Sequence, residues 1–328
     1  MCMIQRLEYI DFCRGIAILL VVIGHLIQFN GIATSNPVFE FIYSFHMPFF
    51  FAISGYITQK VTHIETGKQY LLYLKKKSIA ILLPLLSWTL LANNYLLAEH
   101  WKLLTFDDIW MTIMNPGLWF LKMLFVILMI YGLSNWMSYK IKSKKTISFV
   151  LSLVPVILLT VLAIAIRVEE INLVLFSYAF YLGCFIARSS RLEQIIMKDI
   201  YYAIITVCFF VLVTHWTFDG VVMDDVYKVI ISTCAFVFLL NLSRKMHLST
   251  LIYSQIQKFG CNSLAIYILQ FYFCKISLYE LIGWGGVNPF ILVLMCLVVA
   301  IFICYTCLFV AKCISTSKIL SFILLGKK

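Results

Sequence analysis

Residues 11–25 read DFCRGIAILLVVIGH, an apolar run bracketed by a carboxylate and a guanidinium at one end and an imidazole at the other. Extended to residues 9–29, the run is long enough to cross a bilayer, which takes roughly 17 to 25 residues. Ionisable groups inside such a segment are costly and mark candidate functional positions. Arg14 and His25 are eleven residues apart, about three helical turns, so they project from nearly the same face at ~16 Å along the axis. Asp11 precedes Arg14 by three residues on that face, where it can pair with it. The stripe is too long for a catalytic dyad and suits a two-ended site. A bland reading exists for each residue: Arg14 can snorkel to headgroups, Asp11 can neutralise it, and a lone histidine can be satisfied by a carbonyl. All three on one stripe favour function. Gly15 and Gly24 would let neighbouring helices approach closely.

The rest of the chain has the same character. Its 328 residues are 62% hydrophobic and 12% charged, with a mean hydropathy of +0.96, far from an ordinary soluble domain. Ten runs predict membrane helices: 9–29, 38–58, 78–98, 117–137, 146–166, 171–188, 200–216, 226–243, 260–282 and 289–313. With the N-terminus inside, twenty lysines and arginines fall in cytoplasmic segments and three, Lys102, Arg167 and Lys228, in outer loops. That alternation follows the positive-inside rule and would collapse if a middle helix were missing. The fold class is therefore all-α, a polytopic membrane bundle of about ten helices with both termini cytoplasmic. The net charge of +11 reads as topology and attraction to an anionic inner leaflet. Nucleic acid is not an expected partner, because the basic residues are scattered over short loops.

Most of the eleven cysteines lie within predicted spans, where Cys behaves as a small hydrophobe. Cys304 and Cys307 have the spacing of half a metal site without a second pair, so no metal is expected. The first run is too long for a cleavable signal and contains Asp11 and Arg14. The longest outer break, 99–116, is too short to fold alone. Residues 1–328 read as one transmembrane domain with no appended soluble domain.

The second run contains SFHMPFFFAISGY, residues 44–56. His46 and Pro48 sit near its outer end, and Pro48 frees backbone groups that need partners. Ser54 and Gly55 form a small pair suited to close helix contact. Ser54 alone reads as packing glue, since no Gly-x-Ser-x-Gly elbow surrounds it.

Together, YIDFCRGIAILLVVIGH (9–25) and SFHMPFFFAISGY resemble the two opening signatures of the acyltransferase-3 family of integral membrane O-acyltransferases. YLKKKSIAILLP (73–84), LWFLKMLFV (118–126) and FGCNSLAIYILQ (259–270) resemble later family elements in order. The resemblance implies transfer of an acyl group, by family habit acetyl, from cytoplasmic acyl-CoA to a hydroxyl of a cell-envelope glycan or glycolipid. It implies that His25 is the essential histidine, as general base or transient acyl carrier. Arg14, fixed by Asp11, would contact the acyl donor or hold the helix end, while His46, Ser54 and Trp119 would line the site. Lys75, Lys76 and Lys77 stand where many members carry paired arginines. Lysine meets phosphate as a point charge rather than a fork, and without the resemblance these three are only positive-inside charges. Many members end the ninth-span element with His, and this chain has Gln270. An amide donates and accepts hydrogen bonds but moves no proton, which leaves Gln270 outside the catalytic set. Lys122 and Lys275 read as snorkelling cations, with Glu280 within a turn of Lys275. The implied location is the bacterial cytoplasmic membrane. A rival reading is a transporter or flippase using Asp11, Arg14 and His25 as a relay, although no inverted repeat is visible. A third is a non-catalytic component of a polysaccharide assembly complex. Trp101, Trp110 and Trp216 could stack on sugars or belt the interface. The acceptor and the oligomeric state stay open.

Overall fold

The computed structural model describes residues 7–30, 36–90, 105–106, 118–140, 154, 157, 171–216, 222–246, 251–275 and 289–327. Among these residues all regular structure is helical. The chain forms two compact units, one of residues 1–62 with 175–308 and one of 63–174 with 309–328. Five described helices are long and apolar enough to cross a membrane, or six if a pair bent by 71° counts as one span. This is an integral, multi-pass helical membrane protein. The predicted span 146–166 lies outside the described residues except for Val154 and Ile157, as do Trp101, Trp110 and Glu280.

The first unit is organised around α1 (Glu8–Phe29). Against it pack α3 (His46–Val61), α10 (Val222–Lys245), α11 (Leu251–Cys261) and α12 (Ser263–Cys274). Two contacts are backbone to backbone. A Cβ on Gly260 would lie 1.7 Å from the Asp11 carbonyl oxygen, and one on Gly15 would lie 1.9 Å from the Ile256 carbonyl oxygen. Glycine at both positions thus lets α1 and α11 touch directly. The same device joins α3 to α7 (Ile171–Arg188), where a Cβ on Gly55 would meet the Phe180 carbonyl oxygen at 1.9 Å. Gly24 instead faces a side chain, the ring of Tyr43. The span-length part of α1 is 72% buried, whereas that of α13 (Pro289–Ile314) is only 28% buried.

Two predicted runs contain a helix boundary, the first of them while remaining one membrane-length span, Pro37–Val61. The run 38–58 divides into α2 (Pro37–Tyr43), started by Pro37 and by the Asn36 side chain accepting from the Val38 N–H, and α3. Pro48 consequently occupies the first turn of α3, where a missing N–H costs nothing because first-turn donors have no intrahelical acceptor. The run 260–282 opens at the junction of two helices, α11, which carries Ser254, Gln255, Gln257 and Lys258, and the apolar α12 from Ser263. Hydropathy misses the turn at Ser44 because the residues on either side of it are apolar.

The bent pair comprises α8 (Ser190–Ile196) and α9 (Asp199–Val213). Ser189 caps α8 by accepting from the Leu192 N–H.

In the second unit, Thr66 and Gln69 form a capping box that starts α4 (Gly67–Lys77), satisfying two end donors reciprocally. The helix widens into a π turn at Ser78–Leu82 before α5 (Leu83–Leu86), whose Pro84 lacks the N–H of a regular turn. The Tyr73 hydroxyl donates to the Leu128 carbonyl of α6 (Trp119–Lys140) at 3.2 Å. The Trp88 indole donates to the Leu324 carbonyl of α14 (Lys318–Leu325) at 2.8 Å, and α14 ends at Gly326 in the left-handed region, φ 62°.

Candidate active site

His25 lies one turn before the C-terminal end of α1, half-buried. Its ring meets Phe29 at 5.6 Å and stands edge-on to Phe271 at 6.5 Å between centroids. Nδ1 faces the side-chain amide of Gln270 on α12, with Nε2 of the amide at 2.8 Å and Oε1 at 3.1 Å. Gln270 is itself buried and tethered: the Cys274 thiol donates to Oε1 at 3.2 Å, and the amide nitrogen reaches the Tyr267 carbonyl at 3.4 Å. The ring is therefore held through one nitrogen. The other, Nε2, makes no hydrogen bond among the described residues.

This arrangement permits two proton placements. If Nδ1 carries the proton, it donates to Oε1 and leaves a lone pair on Nε2. If Nε2 carries it, the amide N–H donates to Nδ1. A hydroxyl arriving at Nε2 selects the first, because it needs an acceptor there. Gln270, set aside on sequence grounds because it cannot move a proton, is thus the residue that holds the imidazole. Two residues 245 positions apart give no local signal of their contact; the only sequence clue was the family element that ends at Gln270.

His46 lies in the same unit as His25. It is buried at the α2–α3 break, donates from Nδ1 to the Ile42 carbonyl at 2.7 Å, and meets the Tyr43 ring at 4.8 Å. Accepting by a carbonyl requires Nδ1 to carry the proton, so Nε2 holds the lone pair. Tyr43 in turn donates to Gln28 Oε1 at 2.9 Å, tying α2 to the same end of α1. The Lys275 ammonium lies 4.4 Å from the Phe271 ring centroid, a cation–π contact.

The other end of α1 carries a separate ionic cluster. Asp11, buried, pairs with Arg14 at 3.6 Å. Since α1 is unbroken from Glu8 to Phe29, Arg14 and His25 stay ~16 Å apart along the axis. Near Asp11, Tyr9 meets Tyr56 of α3 hydroxyl to hydroxyl at 3.1 Å, and the Arg244 guanidinium donates to both. Glu193 on α8 is the hub: it accepts from Tyr56 at 2.5 Å, from Lys60 at 2.8 Å and from Arg244. Glu193 stands in the connection between the predicted sixth and seventh spans. Burial pushes its carboxyl up, but the hydrogen bonds from Lys60, Tyr56 and Arg244 outweigh this and hold it below the ordinary range. This hub escaped the sequence reading because its members come from four helices, and Lys60 and Arg244 were counted only as loop charges.

The remaining predicted residues are placed as follows. The Ser54 hydroxyl donates to the Phe50 carbonyl of its own helix at 2.9 Å, as a packing serine does. Lys75, Lys76 and Lys77 form the last turn of α4 in the second unit, with Lys77 5.5 Å from the Tyr73 ring centroid. Trp119 opens α6 in that unit, about one-third exposed (37%) and edge-on to Phe120. Among the described residues no group of three or more His, Cys, Asp and Glu side chains could hold a metal ion.

A polytopic helical membrane protein with a positioned, half-buried imidazole near one end of its central helix and an ion-pair cluster near the other is the class that fold and site define. Residues 7–309 match the profile of the acyltransferase-3 family, described as an acyltransferase domain, and the chain belongs to that family. It is also similar to the nodulation protein NolL of Mesorhizobium japonicum, 39% identical over 83 residues, 24% of this chain and 21% of that protein. NolL of Sinorhizobium fredii is 38% identical over 93 residues, 27% of this chain and 25% of that protein. The chain thus spans about a fifth to a quarter of the length of the curated relatives it matches. No solved structure matches it.

Proposed function

We propose that the protein is an acyl-CoA-dependent O-acyltransferase that moves an acetyl group from cytoplasmic acetyl-CoA to a hydroxyl of a cell-envelope glycan or glycolipid. It would do so in a bacterial cytoplasmic membrane, as a bundle of ten spans with both termini inside. The observation that carries this reading is His25, held at Nδ1 by Gln270 with Nε2 open. A neutral imidazole so held is suited to general-base work near neutral pH. As the acceptor oxygen attacks the thioester carbonyl carbon, its proton passes to His25 Nε2. The carbon–sulfur bond then breaks, and the imidazolium returns the proton to the departing thiolate, leaving an ester and free CoA.

The donor side of the proposal rests on Arg14 and Asp11 at the other end of α1 and on Lys75, Lys76 and Lys77 as phosphate-facing charges. The ~16 Å between Arg14 and His25 along α1 suits a donor whose acyl group is carried on a long flexible arm. His46 and Ser54 would line the site, with Ser54 as a packing residue.

The test is transfer from acetyl-labelled acetyl-CoA to extracted envelope glycans by the purified protein in nanodiscs. Label entering the glycan fraction and released by mild alkali, as an ester is, supports the reading. Acetyl-CoA binding without label in any glycan fraction would overturn the acceptor class, and no binding would overturn the donor.

A further inference from the structure

Beside the Glu193 hub, at the bend between α8 and α9, lies a cavity of about 380 Å³. It is lined by Ser190, Glu193, Gln194, Met197, Lys198 and Arg244. Four of these side chains bring donors that no described residue uses. Ser190, Gln194 and Lys198 make no side-chain hydrogen bond among the described residues. Arg244 makes its bonds to Tyr9, Tyr56 and Glu193 through one terminal nitrogen, leaving Nε and the other terminal nitrogen available. A hydroxyl, an amide, an ammonium and a guanidinium around one cavity are a donor set for a tetrahedral oxyanion. The carboxylate of Glu193 does not oppose this, because Lys60 and Arg244 already pair with it. Among the lining residues two cations, Lys198 and Arg244, stand against one carboxylate.

The surface next to the cavity identifies the source of such an anion. Directly after Lys198 and Asp199, α9 exposes Ile200, Ile204 and Val207 at 63%, 51% and 62%. Their spacing of four and three residues puts them on one helical face, an apolar stripe that begins where the cavity ends. A polar head with an attached chain matches both features together.

We propose that this cavity binds the phosphate of an anionic phospholipid headgroup through Ser190, Gln194, Lys198 and Arg244, with the acyl chains along the Ile200, Ile204 and Val207 face of α9. The site is separate from the His25 centre, and its occupancy does not depend on which reaction the protein performs.

Native mass spectrometry of the full-length protein in detergent, titrated with phosphatidylglycerol or with phosphatidylcholine of the same chains, tests this. The wild type should retain one phosphatidylglycerol in preference to phosphatidylcholine. Lys198→Gln should weaken that retention about fivefold, the loss of one interfacial cation. Lys198 is exposed and without a described partner, so this change leaves the fold intact. Lys245→Gln removes the same charge from the Asp199 pair outside the cavity and should leave retention unchanged. Equal retention of both lipids, or equal weakening by the two variants, would overturn the site. If glycerol 3-phosphate binds as tightly as phosphatidylglycerol, the ligand is a soluble phosphate and the lipid assignment fails.

Discussion

Replacing Gln270 with methionine keeps the length of a buried side chain and removes its contact with His25. Gln270 is 1% exposed, and its amide has three partners: the imidazole, the Cys274 thiol and the Tyr267 carbonyl. For stability the change is modest, because a neutral hydrogen bond contributes about 1 kcal/mol net and methionine fills the volume. For catalysis it is larger, because Nδ1 loses the partner that orients the ring and that accepts its proton when the acceptor hydroxyl arrives at Nε2. Losing about 1.4 kcal/mol of that support lowers kcat about tenfold. The ceiling is about 10⁴-fold, the cost of enforcing the wrong tautomer in a serine protease. The assay is steady-state acetyl transfer in nanodiscs. Gln270→Met should lower kcat at least tenfold with the KM for acetyl-CoA unchanged, and Gln270→His, which restores a polar ring opposite Nδ1, should recover most of the rate. A wild-type kcat in Gln270→Met, or a loss confined to the KM for acetyl-CoA, would refute the positioning role.

Gly260→Ala would put a Cβ 1.7 Å from the Asp11 carbonyl oxygen, so α1 and α11 must separate. A loss of about 3 kcal/mol should appear as a lower unfolding temperature in nanodiscs, and an unchanged temperature would contradict the contact. Glu193 has a lowered folded-state pKa, so its contribution to stability is present above the ordinary glutamate value near 4.3 and is lost as pH falls through the lower folded value. Glu193→Gln should remove that acid-dependent step in a thermal-stability series from pH 7 to pH 3; an unchanged step would place its origin elsewhere. Ser54→Ala should retain activity within about twofold, a change of less than 0.5 kcal/mol, because the hydroxyl serves the Phe50 carbonyl. A tenfold loss of transfer would make Ser54 part of the reacting site.

Reading the sequence recovered the elements whose chemistry is local. The central helix was legible because an apolar run of the right length carries Asp11, Arg14 and His25 at helical spacing, and α1 covers it as one unbroken element. The last apolar run matched α13 in the same way, 289–313 against Pro289–Ile314. The break after α2 was not legible. Ser44 sits in a stretch that is apolar on both sides, so only side-chain contacts, such as His46 on the Ile42 carbonyl, reveal where α2 ends. The Asp11–Arg14 pair was legible, being three residues apart. The Gln270–His25 contact and the Glu193 hub were not, since they join distant helices and depend on close approaches made possible by glycines such as Gly55 and Gly260.

The central claim is that His25 does chemistry rather than packing. The most direct test measures acetyl transfer and acetyl-CoA binding side by side in wild-type protein and His25→Ala. Transfer lost by at least a thousandfold, about 4 kcal/mol, with acetyl-CoA affinity retained, is the result this account requires. Transfer that persists in His25→Ala would contradict it.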